Sequence, residues 1–242
     1  MKHYAIGDVH GEFDTLIELT NQLSKKAKFI FVGDLIDRGP DSSKVVDFVR
    51  NGNHQCVMGN HEDMMIKEAK RMAEMQEDYT IDELWIVNGG LSTLESYGVI
   101  KIAEDGNSFS HTKDKESINK FIYDAEWMES LPLYITATVR WKEQDADIIV
   151  SHAAIGQVWT TKMGKGSRHK EHILWNREQV GPFQTFQMLN VFGHTPSTYD
   201  MRISERKNWI NIDSGCTYNR PGLGKLTALN LKTLKTILVD RI

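Results

Sequence analysis

In the first third of the chain, short apolar runs alternate with longer segments in which apolar residues recur at helical spacing. This pattern predicts three strands, each followed by a helix, at 3–6, 14–23, 28–32, 42–50, 54–58 and 62–75. Continuous apolar runs are typical of strands that are covered on both faces. A βαβαβα order is typical of a parallel sheet with helices packed against it.

The pattern changes after residue 80. A helical insert rich in Trp and acidic residues is predicted at about 81–130. Strands with short links then predominate, at 133–141, 146–153, 189–195, 208–215, 226–231 and 236–240. We therefore expect an α/β fold in which residues 1–242 form a single domain of two packed sheets with helices outside, an αββα-type β-sandwich.

Composition and charge narrow the class of protein. Of the 242 residues, 40% are hydrophobic and 26% charged, which is ordinary for a globular protein, and the net charge of −4 does not favour nucleic acid as a main partner. No apolar run is long enough for a transmembrane helix, and the N-terminus lacks a secretory signal. Cys56 and Cys216 form no CxxC pair, which fits a reducing compartment. We expect a cytoplasmic protein that binds no membrane; its oligomeric state is left open.

Five predicted strands end in a Gly or Ser that is followed at once by Asp, Asn or His. The five motifs are GDVHG (7–11), GDLIDRG (33–39), GNHE (59–62), SHA (151–153) and GHT (193–195). In open α/β sheets, ligands bind beyond the carboxyl ends of the strands, so these polar side chains are expected to share one site. Glycine at the strand end lets the backbone turn sharply and approach a ligand.

The motifs supply carboxylate, imidazole and amide donors and no thiolate. The six candidate ligands are Asp8, His10, Asp34, Asn60, His152 and His194. Mixed oxygen and nitrogen donors suit Mn, Fe, Zn or Co, and six donors suit two ions that share one carboxylate. Two ions roughly 3.5–4 Å apart can clamp the attacking and leaving oxygens of an in-line displacement and ionise a bound water. The sequence therefore predicts two divalent metal ions and metal-assisted hydrolysis.

The same motif series resembles that of the metallophosphoesterases, and in particular of the phosphoprotein phosphatase superfamily. The segments LWIVNGG (84–90), ILWNRE (173–178) and INIDSG (210–215) are similar to segments of the small bacterial and phage serine/threonine phosphatases. The resemblance extends from residue 7 to residue 215. It implies the calcineurin-like metallophosphoesterase fold and two bound ions, with Mn²⁺ the expected metal and an Fe–Zn pair compatible.

The resemblance also implies a role for each metal ligand. Asp8 and His10 would bind the first ion together with Asp34, which would bridge to the second ion. The remaining ligands of the second ion would be Asn60, His152 and His194.

Four further residues would act on the substrate. His61 would be the general acid that protonates the leaving oxygen, and Asp37 would orient His61 and keep it protonated. Arg38 and Arg177 would hold the phosphate oxygens, to which the planar guanidinium is suited. The implied reaction is direct hydrolysis of a phosphomonoester by a hydroxide held at the dinuclear centre, without a covalent intermediate.

Three hypotheses concern the function, and the first two differ in the substrate. The first is a protein serine/threonine phosphatase, or a dual-specificity one, that acts on phosphorylated proteins or peptides. The alternative is a diadenosine tetraphosphate hydrolase, which shares these motifs but has Ala in place of Asp37 and Asp in place of Glu62. Asp37 therefore favours the phosphatase. The third, a non-catalytic metal-dependent binding module, is disfavoured because such a module needs no general acid such as His61.

Some segments are left with two interpretations. Segment 160–172 is rich in Gly and Lys and lacks periodicity, which predicts an exposed loop or an electropositive rim of the site. The insert at 81–130 is either a structural addition or a lid. We expect Trp175 to serve packing rather than substrate stacking, and Glu62 to lie in the first turn of a helix rather than to bind metal.

Overall fold

Two β-sheets lie at the centre of the protein in a computed structural model, which describes residues 3–75, 80–105, 108–141, 144–155, 167–177, 188–198 and 209–242. The helices and strands of these residues, in chain order, are β1 (His3–Ile6), α1 (Phe13–Asn21), β2 (Lys28–Phe31), α2 (Ser42–Asn51), β3 (Gln55–Cys56), α3 (Asn60–Met75), α4 (Glu83–Val87), α5 (Gly90–Ser96), β4 (Ile100–Ile102), β5 (Phe109–His111), α6 (Lys115–Glu129), β6 (Tyr134–Trp141), β7 (Gln144–Ser151), α7 (Ser167–Trp175), β8 (Met188–Phe192), β9 (Trp209–Asn211), β10 (Lys225–Asn230) and β11 (Thr236–Asp240).

The first sheet has the strand order β11-β10-β1-β2-β3, and the second has the order β6-β7-β8-β9. β1, β2 and β3 are parallel to one another, as are β7, β8 and β9, whereas β10 and β6 join their sheets antiparallel. The parallel strands therefore deliver their carboxyl ends to one edge of each sheet.

The two faces of the first sheet pack against different layers. Ala5 and Ile30 face the second sheet, where Ile148 and Val191 belong to the same buried apolar cluster. The alternate residues of the first sheet belong to a second cluster shared with the helices, for instance Ile6. A two-residue side-chain period thus sorts each strand between two apolar cores. The predicted fold class, two packed sheets with helices outside, is confirmed; that the chain is a single domain stays a prediction.

The structure corrects the predicted boundaries at two places near the motifs. β3 has only two residues, and α3 begins at Asn60, so GNHE forms the start of a helix and not a loop before it. Residues 167–172 of the predicted exposed loop lie in α7, and residues 160–166 lie outside the described residues. The helical character of the insert is confirmed, with a two-stranded hairpin, β4-β5, between its helices. Among the described residues, every helix is too short or too polar to span a bilayer.

A buried carboxylate joins the insert to the rest of the fold. Asp124 of α6 is fully buried, and it accepts hydrogen bonds from Lys120 Nζ (2.9 Å), Tyr97 Oη (3.0 Å) and the Arg50 guanidinium of α2. This one carboxylate therefore accepts from Lys120 of its own helix, from Arg50 of α2 and from Tyr97, which follows α5. Removing that acceptor would leave the buried Tyr97 hydroxyl without a partner and take the buried carboxylate from Arg50 and Lys120.

We expect Asp124→Ala to lower the free energy of unfolding by about 3–5 kcal/mol, because it leaves the buried Tyr97 hydroxyl unpaired and removes the buried carboxylate of Arg50 and Lys120, which keep only the half-exposed Asp47. Urea unfolding measures the change. The matched control is Asp47→Ala, which removes a 38% exposed carboxylate that contacts the same Arg50 and Lys120. The control is expected to cost below about 1 kcal/mol. Equal costs for the two variants would contradict this assignment.

Candidate metal centre and active site

The residues that follow the parallel strands meet at one place. His152 Nε2 lies 2.8 Å from Asn60 Oδ1 and 3.1 Å from His194 Nδ1, and Asn60 Oδ1 lies 2.9 Å from His194 Nδ1. These three residues come from three segments that are far apart in the chain. The structure thus brings together the three residues expected to complete the second metal site.

The Asp34 carboxylate lies between two groups of imidazoles. Its Oδ2 is 3.6 Å from His10 Nε2 and 3.7 Å from His61 Nε2, and its Oδ1 is 3.3 Å from His152 Nε2. The geometry yields two candidate metal clusters, His10 with Asp34 and His61, and Asp34 with His152 and His194. Asp34 belongs to both, as expected of a bridging ligand.

Asp8 completes the set of predicted ligands. Its Oδ2 accepts a hydrogen bond from the backbone N–H of His194 at 3.0 Å, whereas Oδ1 is buried and has no hydrogen-bond partner. A buried carboxylate oxygen without a donor is costly unless a cation balances it.

The histidines present lone pairs to the centre. His10 Nδ1 lies 2.8 Å from the carbonyl oxygen of Ile36, and His152 Nδ1 lies 2.8 Å from that of Val32. A carbonyl only accepts, so each Nδ1 carries the proton and each Nε2 is left as an acceptor. His152 Nε2 and Asn60 Oδ1, 2.8 Å apart, are then two acceptors that face each other. Such an arrangement fits a metal ion between them.

The pKa values agree with neutral imidazoles at these positions. Burial lowers the pKa of His10 well below its usual value, and it also lowers that of His152. Burial, followed by the neighbouring His152, lowers the pKa of His194 to about 3. Burial opposes ionisation of Asp34, yet the surrounding imidazoles, His152 foremost, bring its pKa below the usual range. An ionised carboxylate among neutral imidazoles is the protonation state that metal binding requires.

The backbone is strained where it carries these side chains. Five site residues adopt a positive φ, which is unfavourable for residues other than glycine: His10 (48°), Asp34 (51°), Asp37 (72°), Arg38 (71°) and His194 (70°). Strain of this kind persists only where the surrounding structure enforces it, and it is concentrated at functional sites.

Two motif glycines make room for metal-ligand carboxylates. A Cβ on Gly193 would lie 1.9 Å from Asp8 Oδ1, and a Cβ on Gly59 would lie 2.3 Å from Asp34 Oδ1. Both distances are shorter than any van der Waals contact. The glycines of GHT and GNHE are therefore required, because any side chain there would collide with one of these two carboxylates.

His61 and Asp37 form the expected pair. His61 Nδ1 lies 2.5 Å from Asp37 Oδ2, and Asp37 also accepts hydrogen bonds from Trp85 Nε1 (2.8 Å, to Oδ2) and Thr93 Oγ1 (2.6 Å, to Oδ1). Burial lowers the pKa of His61, but the charge of Asp34 and the bond to Asp37 outweigh it and raise the pKa. The arrangement can keep His61 protonated.

Of the two arginines, Arg38 reaches the centre directly. Arg38 Nη1 is 2.6 Å from His10 Nε2, and Nη2 is 3.1 Å from His61 Nε2. Arg177 is exposed, and its charge contributes to the lowered pKa of His194 after burial and the neighbouring His152. The Arg38 guanidinium is therefore positioned to contact an anion at the centre, whereas the phosphate-binding role of Arg177 stays a prediction.

Sequence reasoning missed the role of Glu62. It lies in the first turn of α3 and its side chain accepts the backbone N–H groups of Asp34, Leu35 and Gly59, each at 2.8 Å. One buried carboxylate thus ties the GDLIDRG loop to the GNHE helix start. No sequence signal predicts the bonds from Asp34 and Leu35, because they join residues 28 and 27 positions apart, whereas the bond from Gly59 is local, three positions apart.

Asp213 was also missed, although the sequence carried a signal. It follows β9, so it repeats the strand-end pattern, but its glycine comes after it and not before it. Its Oδ1 accepts the N–H of Gly215 (2.8 Å), and burial, reinforced by Asp34, raises its pKa to about 7. The charge of Asp213 in turn raises the pKa of Asp8, after burial. Asp213 therefore borders the candidate metal centre.

Comparison with known proteins identifies the family and several similar enzymes. A model of the calcineurin-like phosphoesterase family matches residues 1–209. The chain is 29% identical to the asymmetrical bis(5'-nucleosyl)-tetraphosphatase PrpE of Oceanobacillus iheyensis, covering 94% of this chain and 88% of that protein. It is 25% identical to the symmetrical bis(5'-nucleosyl)-tetraphosphatase of Wigglesworthia glossinidia brevipalpis, covering 95% of each. A protein serine/threonine phosphatase from Saccharomyces cerevisiae matches in structure, with a TM-score of 0.54 and 14% identity over all of this chain and 80% of that one, which shows a shared fold alone.

These findings correct the predicted substrate. The prediction of a protein serine/threonine phosphatase that acts on phosphorylated proteins or peptides is wrong, because the relatives similar along the chain are tetraphosphatases of dinucleosides. The physical reason lies at Asp37, on which that prediction rested. Asp37 is fully buried, and its oxygens contact His61, Trp85 and Thr93. The Asp37 carboxylate is thus engaged by groups of the protein itself, and the prediction gave it too much weight as a sign of the substrate's class.

We expect Glu62→Gln to weaken the metal centre without blocking it. The amide retains one acceptor oxygen but places an NH₂ group against at least one backbone N–H, which costs about 1–3 kcal/mol of stability. Because Asp34 loses its support, the affinity for divalent metal should fall about 10–100-fold. Competition with a chromogenic chelator measures the affinity. The control is Glu83→Gln on the exposed first turn of α4; unchanged metal affinity in Glu62→Gln would show that the Glu62 bonds do not support the centre.

Proposed function

The chain belongs to the calcineurin-like phosphoesterase family, and we propose that it is a dinucleoside tetraphosphate hydrolase that cleaves diadenosine tetraphosphate. The observation that carries the proposal is similarity along nearly the full chain to several bis(5'-nucleosyl)-tetraphosphatases. Those four relatives are asymmetrical enzymes, so we propose asymmetrical cleavage of the tetraphosphate to ATP and AMP.

Two divalent ions are proposed to occupy the centre, with Mn²⁺ as the metal. The donor set fits two ions. Asp8 Oδ1 is buried without a hydrogen-bond donor, and a cation would balance it. Asn60 Oδ1 and His152 Nε2 are two acceptors that face each other, and a cation would separate them. The proposed ligands are Asp8, His10, Asp34, Asn60, His152 and His194. When bound, such ions supply Lewis-acid stabilisation of phosphate charge and lower the pKa of a water ligand.

The chain's own residues bind and orient the phosphate. Arg38 presents two guanidinium nitrogens between His10 and His61. Arg177, whose charge acts on His194, is proposed to supply a second guanidinium. Forked N–H donors match the oxygens of a phosphate and stabilise the charge that spreads over them in the transition state.

His61 is proposed to deliver a proton to the leaving oxygen. Its Nδ1 is engaged by Asp37, so the proton available to a substrate is on Nε2, which faces the centre. In this reaction the leaving group is a phosphate oxygen, which is a weaker base than an alkoxide. Positioning by the arginines therefore contributes more here than it would in a phosphomonoester hydrolase, and proton donation contributes less.

The proposed function is tested by product analysis. Metal-stripped protein, with Mn²⁺ restored, should convert diadenosine tetraphosphate to equimolar ATP and AMP, resolved by anion-exchange chromatography. Activity should vanish again on addition of a chelator. Formation of ADP alone would establish symmetrical cleavage instead. Turnover of p-nitrophenyl phosphate without turnover of the dinucleotide would refute the proposal.

The positioning role of Asp37 is tested by a double-mutant cycle. We expect His61→Asn to lower kcat by on the order of 10²-fold, and Asp37→Asn to lower it by less. Because Asp37 acts through His61, adding Asp37→Asn to His61→Asn should cost nothing further. The control is Asp41→Asn, which alters a carboxylate on the same loop that pairs with exposed Lys44. Independent, multiplying losses would show that Asp37 acts by another route.

A further inference from the structure

A groove beside the candidate metal centre is lined by none of the residues assigned to metal or phosphate binding. It lies between α3, α4 and α7 and has a volume of about 570 Å³. We name it the α3–α7 groove, and its lining residues are Asp63, Lys67, Leu84, Lys170, Glu171, Leu174 and Trp175. Its volume falls within the range of small-molecule sites, roughly 300–1,000 Å³.

The groove begins at the metal centre. The Trp175 ring meets the His194 ring edge-on, with centroids 6.1 Å apart and planes at 85°. At the other wall, Asp63 lies two residues after His61 in the first turn of α3. A substrate held by Arg38 and Arg177 can therefore extend directly into the groove.

The charges of the groove cancel. Asp63 pairs with Lys67 Nζ at 2.7 Å and with Lys170 Nζ at 2.6 Å, and Glu171 balances the second lysine. Burial opposes ionisation of Asp63, but the bonds from Lys170 and Lys67 hold its pKa below the usual value. Both ammonium groups thus already contact Asp63, and the charges of the described lining residues sum to zero, so the groove offers a phosphate no net positive charge.

The uncharged surface of the groove is aromatic and aliphatic. Trp175 is only partly buried, Leu174 is buried beneath, and Leu84 is 57% exposed at the rim. A flat apolar wall with paired charges at its edge suits a heterocycle that has a stacking face and hydrogen-bonding edges. A nucleobase has this chemistry, whereas a free phosphate has neither feature.

We propose that the α3–α7 groove binds one nucleobase of the dinucleotide, stacked on Trp175, while the tetraphosphate lies across the metal centre. The inference rests on the proposed function and adds the residues that recognise the nucleoside. It assigns Trp175 a binding role in addition to the packing role expected from sequence. A nucleoside fixed in the groove gives the tetraphosphate a defined position over the centre. That position determines which phosphoanhydride bond is cleaved.

The test compares diadenosine tetraphosphate with inorganic tripolyphosphate, which carries the charge but no base. Trp175→Leu should raise the KM for the dinucleotide about tenfold, in line with the loss of one base–aromatic stack. The inhibition constant of tripolyphosphate should stay unchanged. Trp175→Phe, which keeps an aromatic face, should restore most of the affinity and guards against a fold defect in the leucine variant.

A second pair of variants tests the rim of the groove without disturbing the core. Leu84→Gln should raise the KM for the dinucleotide about threefold, as expected for lost apolar contact. Val87→Gln is the matched control, since Val87 is 79% exposed on the same helix and lies outside the groove. Unchanged KM values in Trp175→Leu and Leu84→Gln would overturn the inference, as would an equal rise in the tripolyphosphate constant. Failure of the wild-type protein to cleave the dinucleotide would instead refute the proposed function.

Discussion

The site depends on one buried carboxylate that is not among the predicted metal ligands. Glu62 accepts three backbone N–H groups, from Asp34, Leu35 and Gly59, and so joins the loop after β2 to the start of α3. The loop after β2 carries Asp34 and Asp37, and the start of α3 carries Asn60 and His61. Glu62 adds these three bonds to the contacts that His61 already makes with Asp34 and Asp37 across the two halves of the centre.

That support is needed because the centre is unfavourable by itself. Acceptor atoms face each other, Asp8 Oδ1 is buried without a donor, and five site residues have a positive φ. Each strained residue costs on the order of 1–3 kcal/mol. The apolar clusters on both faces of the first sheet offset this cost. Binding of cations would remove the electrostatic part of it, which links metal affinity to folding stability.

The correction of the substrate follows from the same geometry. The motif residues surround the phosphate and its water, so they report a reaction that is common to many phosphoester substrates. Substrate class is decided by the surface beyond them. On the described part of the chain, the α3–α7 groove is the surface proposed for this role, and its residues belong to α4, α7 and the first half of α3. The sequence analysis expected Trp175 to serve packing, and it left segments 81–130 and 160–172, which contain Leu84 and Lys170, with two interpretations each.

The sequence by itself determined the layered α/β fold and the set of residues that converge. Apolar runs ending in Gly-Asp, Gly-Asn-His or Ser-His suffice because parallel strands must bring their ends to one edge. Only the tertiary structure decided what holds these residues: Trp85 and Thr93 on Asp37, the three bonds of Glu62, and Asp213 beside Asp8. It also showed that 167–172 is helical, where the Gly–Lys-rich sequence indicated a loop. The reason is physical: periodicity records which face of an element is buried, whereas these contacts depend on which distant element packs against that face.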